Sequence, residues 1–250
     1  MMNRLLRLAC LCSALLGPGL LALPAWSAEA VRVATTELPP FAMENVPDAP
    51  GALHEIVQEL LRRTAVPGRI EFVPWRRAML LASTQRRTVI FPLSRTPERE
   101  PQFRWLARLY QERFVFLSTQ GRAFDVAAPQ AHKQARIGVL RGSIVTVALR
   151  ELGYTNIVEA ASVDEELRFL ERGIVDAVFG EAAIFQHVLK GRIAASYFLS
   201  APQSTTVTWL GASLDLTEAE AALFAKARRD MVDDGSYARI LKKYGLPPAP

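Results

Sequence analysis

Short apolar strands alternate with amphipathic helices along most of this chain, and that alternation restricts its fold more than any other feature. Residues 31–35 predict a strand, and the helix expected at 51–64 places its apolar residues on one face. A strand at 69–73, a helix opened by Pro74 and a strand at 88–91 continue the pattern. Strands separated by single helices predict a largely parallel sheet with helices on its faces.

The alternation stops at residues 119–133, which are small and polar, and then begins again. We therefore predict two α/β lobes, each a mostly parallel sheet flanked by helices. The first lobe comprises residues 31–118 and 209–250, and the second comprises 119–208 and is inserted in the first. Two crossings between the lobes would place a cleft at the carboxyl ends of their strands, where open α/β sheets bind ligands.

The remaining elements follow from the same periodicities. A strand at 113–118 ends the first part of lobe one. In the second lobe we expect strands at 136–140, 156–158 and 177–179 and helices at 143–152, 163–172 and 181–189. A strand at 205–211 returns the chain to the first lobe, and two helices broken at 234–235 cover 217–244.

The turn after the strand at 88–91 carries an arginine in an unusual position. Pro92 stops the hydrogen-bond ladder of the strand, Thr96 is placed to cap a helix, and Pro97 suits the first helical position. Arg99 would then lie in the first turn, where the helix dipole disfavours a cation unless an anion is near. That anion is either a neighbouring glutamate on the solvated surface or the carboxylate of a ligand held by the guanidinium.

The amino terminus has the composition of a secretory signal peptide. Two arginines precede an apolar run that is too short and too interrupted to span a membrane, and small residues follow it. We expect residues 1–30 to be the signal, with cleavage after Ala25, Ala28 or Ala30. Both cysteines lie in this segment, so disulfides and thiolate metal sites are not expected in the exported chain.

The net charge, the spacing of the histidines and the lack of catalytic motifs exclude several classes of function. The formal net charge is +5, but no lysine-rich arm or basic-aromatic stripe accompanies it, so nucleic acid is not an expected partner. The three histidines lack metal-ligand spacing, and no nucleophile elbow, phosphate loop or dinucleotide fingerprint occurs. The sequence therefore predicts no catalytic residue, no metal and no cofactor.

Four runs of residues resemble one family of proteins in the order of that family. They are 74–77 (Pro-Trp-Arg-Arg), 95–99 (Arg-Thr-Pro-Glu-Arg), 137–143 (Ile-Gly-Val-Leu-Arg-Gly-Ser) and 170–178 (Leu-Glu-Arg-Gly-Ile-Val-Asp-Ala-Val). Together they resemble family 3 of the periplasmic solute-binding proteins, the amino-acid type that serves ABC importers. The resemblance covers most of residues 31–245 and implies the two-lobed Venus-flytrap fold.

The resemblance implies a ligand-binding role for three residues of the first lobe. Arg99 matches the arginine that usually grips a ligand carboxylate, which would supply the anion that the helix dipole requires. Ser94 matches a position that helps to bind the polar head of the ligand. Trp75 matches a position that covers the ligand side chain, although a tryptophan there is equally compatible with simple core packing.

In the second lobe, the resemblance implies that Gly142, Ser143 and Ile144 begin a helix and direct free amides at the same carboxylate. Glu181 follows a strand at a position where an acidic residue usually pairs with the ligand amino group. Two structural alternatives stay open. Gly142 is also suited to be a turn glycine, and Glu181 to be an acid favoured by the helix dipole.

Three departures from the family pattern bear on the ligand. Leu38 stands where a ligand-stacking aromatic residue is common, and Glu181 replaces the more usual aspartate. Arg95 adds a second cation beside Arg99 and is a further candidate ligand-binding residue. These departures leave room for a solute that is more acidic than an ordinary α-amino acid, or differently shaped.

The function implied by the resemblance is that of a periplasmic monomer that binds an amino acid or similar small carboxylate by lobe closure, without chemistry. Its partner would be an inner-membrane ABC permease, bound transiently. Two alternatives stay open. An enclosed Glu181 acting as general acid would suit an enzyme similar to the periplasmic cyclohexadienyl dehydratases, and the same binding event would suit a periplasmic sensor partner.

Overall fold

The computed structural model describes residues 29–122, 124–190 and 196–247 of the 250-residue chain. The signal peptide predicted at 1–30 lies almost entirely in residues 1–28, outside the described part. Among the helices of the described part, none is both long and apolar enough to cross a membrane.

Nine strands and seven helices are described within these ranges. The strands are β1 (Val31–Thr35), β2 (Gly68–Phe72), β3 (Thr88–Ser94), β4 (Arg104–Thr119), β5 (Ile137–Leu140), β6 (Ile157–Ala160), β7 (Ala177–Glu181), β8 (Tyr197–Leu199) and β9 (Ser204–Ala212). The helices are α1 (Ala52–Thr64), α2 (Trp75–Thr84), α3 (Val145–Glu151), α4 (Val163–Glu171), α5 (Ala182–Val188), α6 (Glu218–Asp233) and α7 (Ser236–Lys243). The short strand β8 and a single 3₁₀ turn at Pro129–Ala131 have no counterpart among the predicted elements.

The strands form two parallel groups, one for each lobe. In the first lobe β2, β1 and β3 run parallel, and in the second β6, β5 and β7 do so. Helices α1, α2, α6 and α7 accompany the first group, and α3, α4 and α5 accompany the second. The prediction of two α/β lobes is confirmed, while the lobe limits at residues 118 and 209 stay a prediction.

Strands β4 and β9 run antiparallel between the two groups and connect them. β4 pairs with β9 from Arg104 to Phe114 and with β7 from Phe114 to Leu117, so one strand takes part in both lobes. β9 continues the sheet of the first lobe by pairing with β3. The sequence predicted strand only at 113–118, because the charged residues of 104–113 interrupt the apolar alternation.

Each lobe buries its own apolar core. In the second lobe the rings of Phe116 and Phe179 lie 4.6 Å apart between centroids. In the first lobe α1 and α6 cover the sheet, and Phe224 is fully buried beneath them. Val163 and Ile184 of the second lobe pack into the apolar cluster of the first, so the two lobes are in contact.

Candidate functional site

A small cavity lies between the two lobes, at the strand ends where the fold predicts a ligand site. Its volume is about 20 Å³, which gives room for about one water molecule but not for an amino acid. A groove of about 680 Å³ lies between α1 and α7, but it is open and shallow and contains none of the predicted ligand residues.

Residues of both lobes line this interlobe cavity. From the predicted set it contains Trp75, Ser94, Arg99, Ser143, Ile144 and Glu181. It also contains Leu38, Pro92, Glu112, Leu140 and Thr208. The structure therefore brings six of the eight predicted residues together, and their role in binding a ligand stays a prediction.

Strand β3 reaches the cavity because it continues past Pro92, where the sequence predicted its end. The register between β3 and β9 shifts between Ile90 and Leu93, so the proline lies at an irregularity where its missing amide is tolerated. Ser94, the last residue of β3, pairs with Thr208 of β9 and is buried. These strand ends form the first-lobe wall of the cavity.

The helix predicted to begin at Pro97, with Thr96 as its cap, is absent, and residues 97–102 form turns instead. The amides of Arg99 and Glu100 both donate to the Thr96 carbonyl at 3.0 Å, which makes a single helical turn. Pro101 has no amide proton to continue that ladder, so the helix cannot extend. The helix-dipole argument for an anion at Arg99 was therefore wrong, although Arg99 itself lies at the cavity.

The Arg99 guanidinium is held by the backbone and keeps most of its donors available. Nη1 donates to the carbonyl oxygen of Ser94 at 3.0 Å. Burial lowers the pKa of Arg99, and the charge of Glu98 raises it in part. A guanidinium has five N–H donors, and a planar fork of this kind matches a carboxylate in two parallel hydrogen bonds. The cavity wall of the first lobe thus presents an anion-binding group.

Trp75 closes the cavity against the second lobe. It begins α2 and is 7% exposed, with its ring in an apolar cluster that includes Ala34, Ile90 and Leu93. Its Nε1 donates to the carbonyl oxygen of Gly142 at 3.3 Å, across the lobes. Trp75 therefore packs in the core and also lines the cavity, while its role in covering a ligand side chain stays a prediction.

The second-lobe segment predicted to begin a helix at Ser143 begins it two residues later. α3 spans Val145–Glu151, and Ile144 is its N-cap residue. The amide of Ser143 donates to the Leu140 carbonyl at 3.0 Å, so it is engaged in a turn rather than free for a ligand. Gly142 has a φ of +77°, which makes it the turn glycine of this segment, and it does not line the cavity.

Glu112 and Glu181 are neighbours across the strand pair β4 and β7. Phe114 lies opposite Glu181, and Glu112, two residues before Phe114, is on the same face of β4. Burial raises the pKa of Glu181 to about 7. Burial also raises the pKa of Glu112 well above its usual range, and the charge of Glu181 adds to that effect. The cavity therefore contains two carboxyl groups that resist ionisation.

Arg95 lies outside the cavity. Its guanidinium is 5.3 Å from the ring centroid of Trp105 and 4.9 Å from that of Trp209, and it forms an ion pair with Glu100. These contacts hold the guanidinium of Arg95 away from the residues that line the cavity. Arg95 therefore belongs to a stack of side chains with the two tryptophans.

Glu112 is an acidic residue of this site that the sequence did not indicate. Residues 104–112 were not predicted as strand, so no face could be assigned to Glu112. The available signal was its position: a single acid between Tyr110 and Phe114, which are both buried. Had one strand been drawn through 104–119, this acid would have been placed on an apolar face.

No protein-family model matches the sequence, and no curated protein matches it. Solved structures do match in three dimensions. The arginine-, lysine-, histidine-binding protein of Geobacillus stearothermophilus aligns with a TM-score of 0.75 at 18% identity, covering 88% of this chain and 96% of its own. The substrate-binding protein of an amino acid ABC transporter aligns with a TM-score of 0.76 at 15% identity, covering 87% and 99%.

A histidine kinase sensor domain with similarity to periplasmic binding proteins aligns with a TM-score of 0.78 at 15% identity, covering 89% of this chain and 99% of its own. This chain has the periplasmic-binding-protein fold. The two lobes of that fold are joined here by β4 and β9, and the cavity between Arg99 and Glu181 lies at their interface.

Proposed function

We propose that this chain is a family 3 periplasmic solute-binding protein that captures an amino acid or a similar small carboxylate between its lobes. The observation that carries the proposal is the interlobe cavity, where Arg99 of the first lobe faces the same space as Ile144 and Glu181 of the second. A fold shared with a protein that binds arginine, lysine and histidine, and with one that serves an amino acid ABC transporter, supports it.

In this proposal each lobe supplies part of the ligand contacts. Arg99 holds the ligand carboxylate in a bidentate pair, and Ser94 binds the polar head beside it. Glu181 accepts hydrogen bonds from the ligand amino group, and Trp75 covers the side chain. Because the contacts come from both lobes, the ligand stabilises the closed form over the open form.

Ligand entry requires the lobes to separate, since a cavity of about 20 Å³ cannot hold an amino acid. The crossings β4 and β9 are the elements about which the lobes would rotate. Closure then removes water from the carboxylate and guanidinium, which strengthens their attraction. The closed form, acting as a monomer in the periplasm after export, would dock transiently on an inner-membrane ABC permease.

The test is a thermal-shift screen of amino acids, di-acids, small peptides and polyamines, followed by calorimetry on the solutes that stabilise the protein. Arg99→Ala is expected to weaken binding of a carboxylate ligand by about 100-fold, as for a lost charge-assisted bidentate pair. Arg95→Ala is the matched control, because it also removes a guanidinium but lies outside the cavity. Equal affinities for Arg99→Ala and the parent protein would overturn the proposal.

A second candidate is an enzyme similar to the periplasmic cyclohexadienyl dehydratases. The observation that favours it is Glu181, whose pKa is raised by burial to about 7 beside a second buried acid, which suits a general acid. Incubation with prephenate or arogenate separates the candidates. Steady aromatic product that is lost in Glu181→Gln would replace the binding proposal.

A third candidate is a sensor partner, which the likeness to a histidine kinase sensor domain favours. The ligand site would be the same and only the docking partner would differ. Uptake of radiolabelled ligand by cells lacking this protein distinguishes the two roles. Lost uptake supports transport, whereas normal uptake with a lost transcriptional response supports sensing.

A further inference from the structure

Glu112 is a buried acid at the cavity without a hydrogen-bond partner for one of its oxygens. The residue is 3% exposed, and its Oε1 has no partner among the described residues. Buried polar atoms nearly always have a hydrogen-bond partner. An unpaired carboxylate oxygen at a cavity therefore indicates that a ligand bound in the cavity supplies the partner.

The strand register places the side chains of Glu112 and Glu181 on the same side of the sheet, next to each other. Glu112 and Phe114 share a face of β4, and Phe114 lies directly opposite Glu181 of β7. Diagonal neighbours of this kind have Cα atoms about 7–8 Å apart, so two glutamate side chains reach a common point between them. Both residues line the interlobe cavity.

The titratable groups around Glu112 are mostly acids. Glu181 faces it from β7, Glu166 lies near Glu181 on α4, and Arg99 faces the cavity from the turn after β3. On β4 itself, Tyr110 is neutral and Arg113 is exposed to solvent. A metal ion is a poor fit: across the described ranges, no group of three or more His, Cys, Asp or Glu residues is placed to hold one.

A count of charges at the cavity indicates the charge of the ligand. Arg99 offers one positive charge, and Glu112 and Glu181 offer two negative charges once ligand cations have displaced their protons. A zwitterionic amino acid with a neutral side chain would pair with Arg99 and Glu181 and would leave Glu112 protonated, with its buried Oε1 still unpaired. A ligand with one carboxylate and two cationic groups matches all three protein charges.

We propose that Glu112 determines ligand specificity by pairing, together with Glu181, with the cationic groups of a ligand of net charge +1, a diamino or guanidino acid. This inference rests on the proposed function, because it takes Arg99 as the carboxylate site. The ligand site then includes a residue of the crossing strand β4. The charge of the ligand is recognised by the strand about which the lobes would rotate.

The inference also predicts the pH dependence of binding. Burial raises the pKa of both Glu112 and Glu181, so the empty site holds protons near neutral pH. A ligand cation favours the ionised carboxylates and displaces those protons. Binding that releases protons becomes tighter as the pH rises, and we expect this between about pH 5.5 and 8.

The experiment is calorimetric titration of the parent protein with L-arginine and L-citrulline, which have nearly the same shape but differ in the charge of the side chain. L-Lysine and L-norleucine form a second pair. We expect the charged member of at least one pair to bind about 10- to 100-fold more tightly, as for a hydrogen bond between charged groups. Glu112→Gln is expected to abolish that preference and to flatten the pH dependence, whereas Glu151→Gln, an exposed acid at the end of α3, changes neither.

The outcomes separate this inference from the proposed function. Neutral amino acids that bind as tightly as charged ones, still with loss in Arg99→Ala, would overturn the inference and leave the function standing. A charge preference that survives in Glu112→Gln would overturn the role of Glu112. Absence of binding by every amino acid and carboxylate in the screen would overturn both. Circular dichroism confirms that Glu112→Gln is folded before it is titrated.

Discussion

The indole Nε1 of Trp75 donates a hydrogen bond of 3.3 Å to the carbonyl oxygen of Gly142, and this bond joins the first lobe to the second. The bond lies beside the interlobe cavity, whose volume is about 20 Å³. Because its donor and its acceptor belong to different lobes, the bond stabilises this closed arrangement of the lobes.

Removing this bond is expected to open the empty protein. Trp75→Phe keeps an aromatic ring in the cluster of α2 but loses the donor, at a net cost of about 1 kcal/mol to the closed form. Small-angle X-ray scattering should then show a larger radius of gyration than for the parent. Trp105→Phe is the control, because Trp105 lies outside the cavity, where its ring packs against Trp209 and Arg95. Identical scattering from Trp75→Phe and the parent would exclude this role.

Gly142 is expected to be required for stability because of its backbone. Its φ of +77° is strained for any residue with a Cβ atom, and alanine there costs about 1–2 kcal/mol. Gly142→Ala should lower the Tm by about 2–8 °C in calorimetry. Gly121→Ala, at a φ of +80° in open space, tests the same strain away from the cleft and should behave alike. An unchanged Tm in both variants would contradict this account.

Glu166 is expected to make the protein less stable as the pH rises. Burial raises its pKa in the folded state well above the unfolded value, and the charge of nearby Glu181 adds to this effect. The folded state therefore binds the proton more tightly, and stability falls as the pH rises from about 4.5 towards the folded pKa. Glu166→Gln has no such proton to lose.

Urea unfolding at pH 5 and pH 8 measures this effect of Glu166. The stability gained by Glu166→Gln relative to the parent should be larger at pH 8 than at pH 5. Glu151→Gln provides the control for a change at an exposed acid. A gain that is the same at both values of pH would mean that Glu166 does not titrate between the folded and unfolded states in this range.

Periodicity predicted most of the elements of the fold because helices and strands here bury one face each. The limits of α1, at Ala52–Thr64, and of β1, at Val31–Thr35, agree with the prediction within one residue. β4 was underestimated because its buried partners come from two lobes, so its charged residues alternate with apolar ones in no simple period. That pairing is set by tertiary structure, which a local pattern does not contain.

The positions of candidate residues were predictable where the sequence resembles the solute-binding family. Ser94 and Glu181 were named from that resemblance, a few residues after the strands predicted at 88–91 and 177–179, and both line the cavity. Arg99 was placed correctly for a reason that fails, since Pro101 limits its segment to turns. Arg95 and Glu112 could not be assigned from sequence, because the first depends on stacking with distant tryptophans and the second on the register of a long crossing strand.

In the proposed function, a small carboxylate binds between the lobes on Arg99. The most direct test is a crystal structure of the protein with the amino acid that stabilises it most. We expect the ligand carboxylate to form two hydrogen bonds to the Arg99 guanidinium and a ligand cation to contact Glu181, within a closed cleft. A ligand seated outside the cleft, or inside it with its carboxylate away from Arg99, would contradict the account.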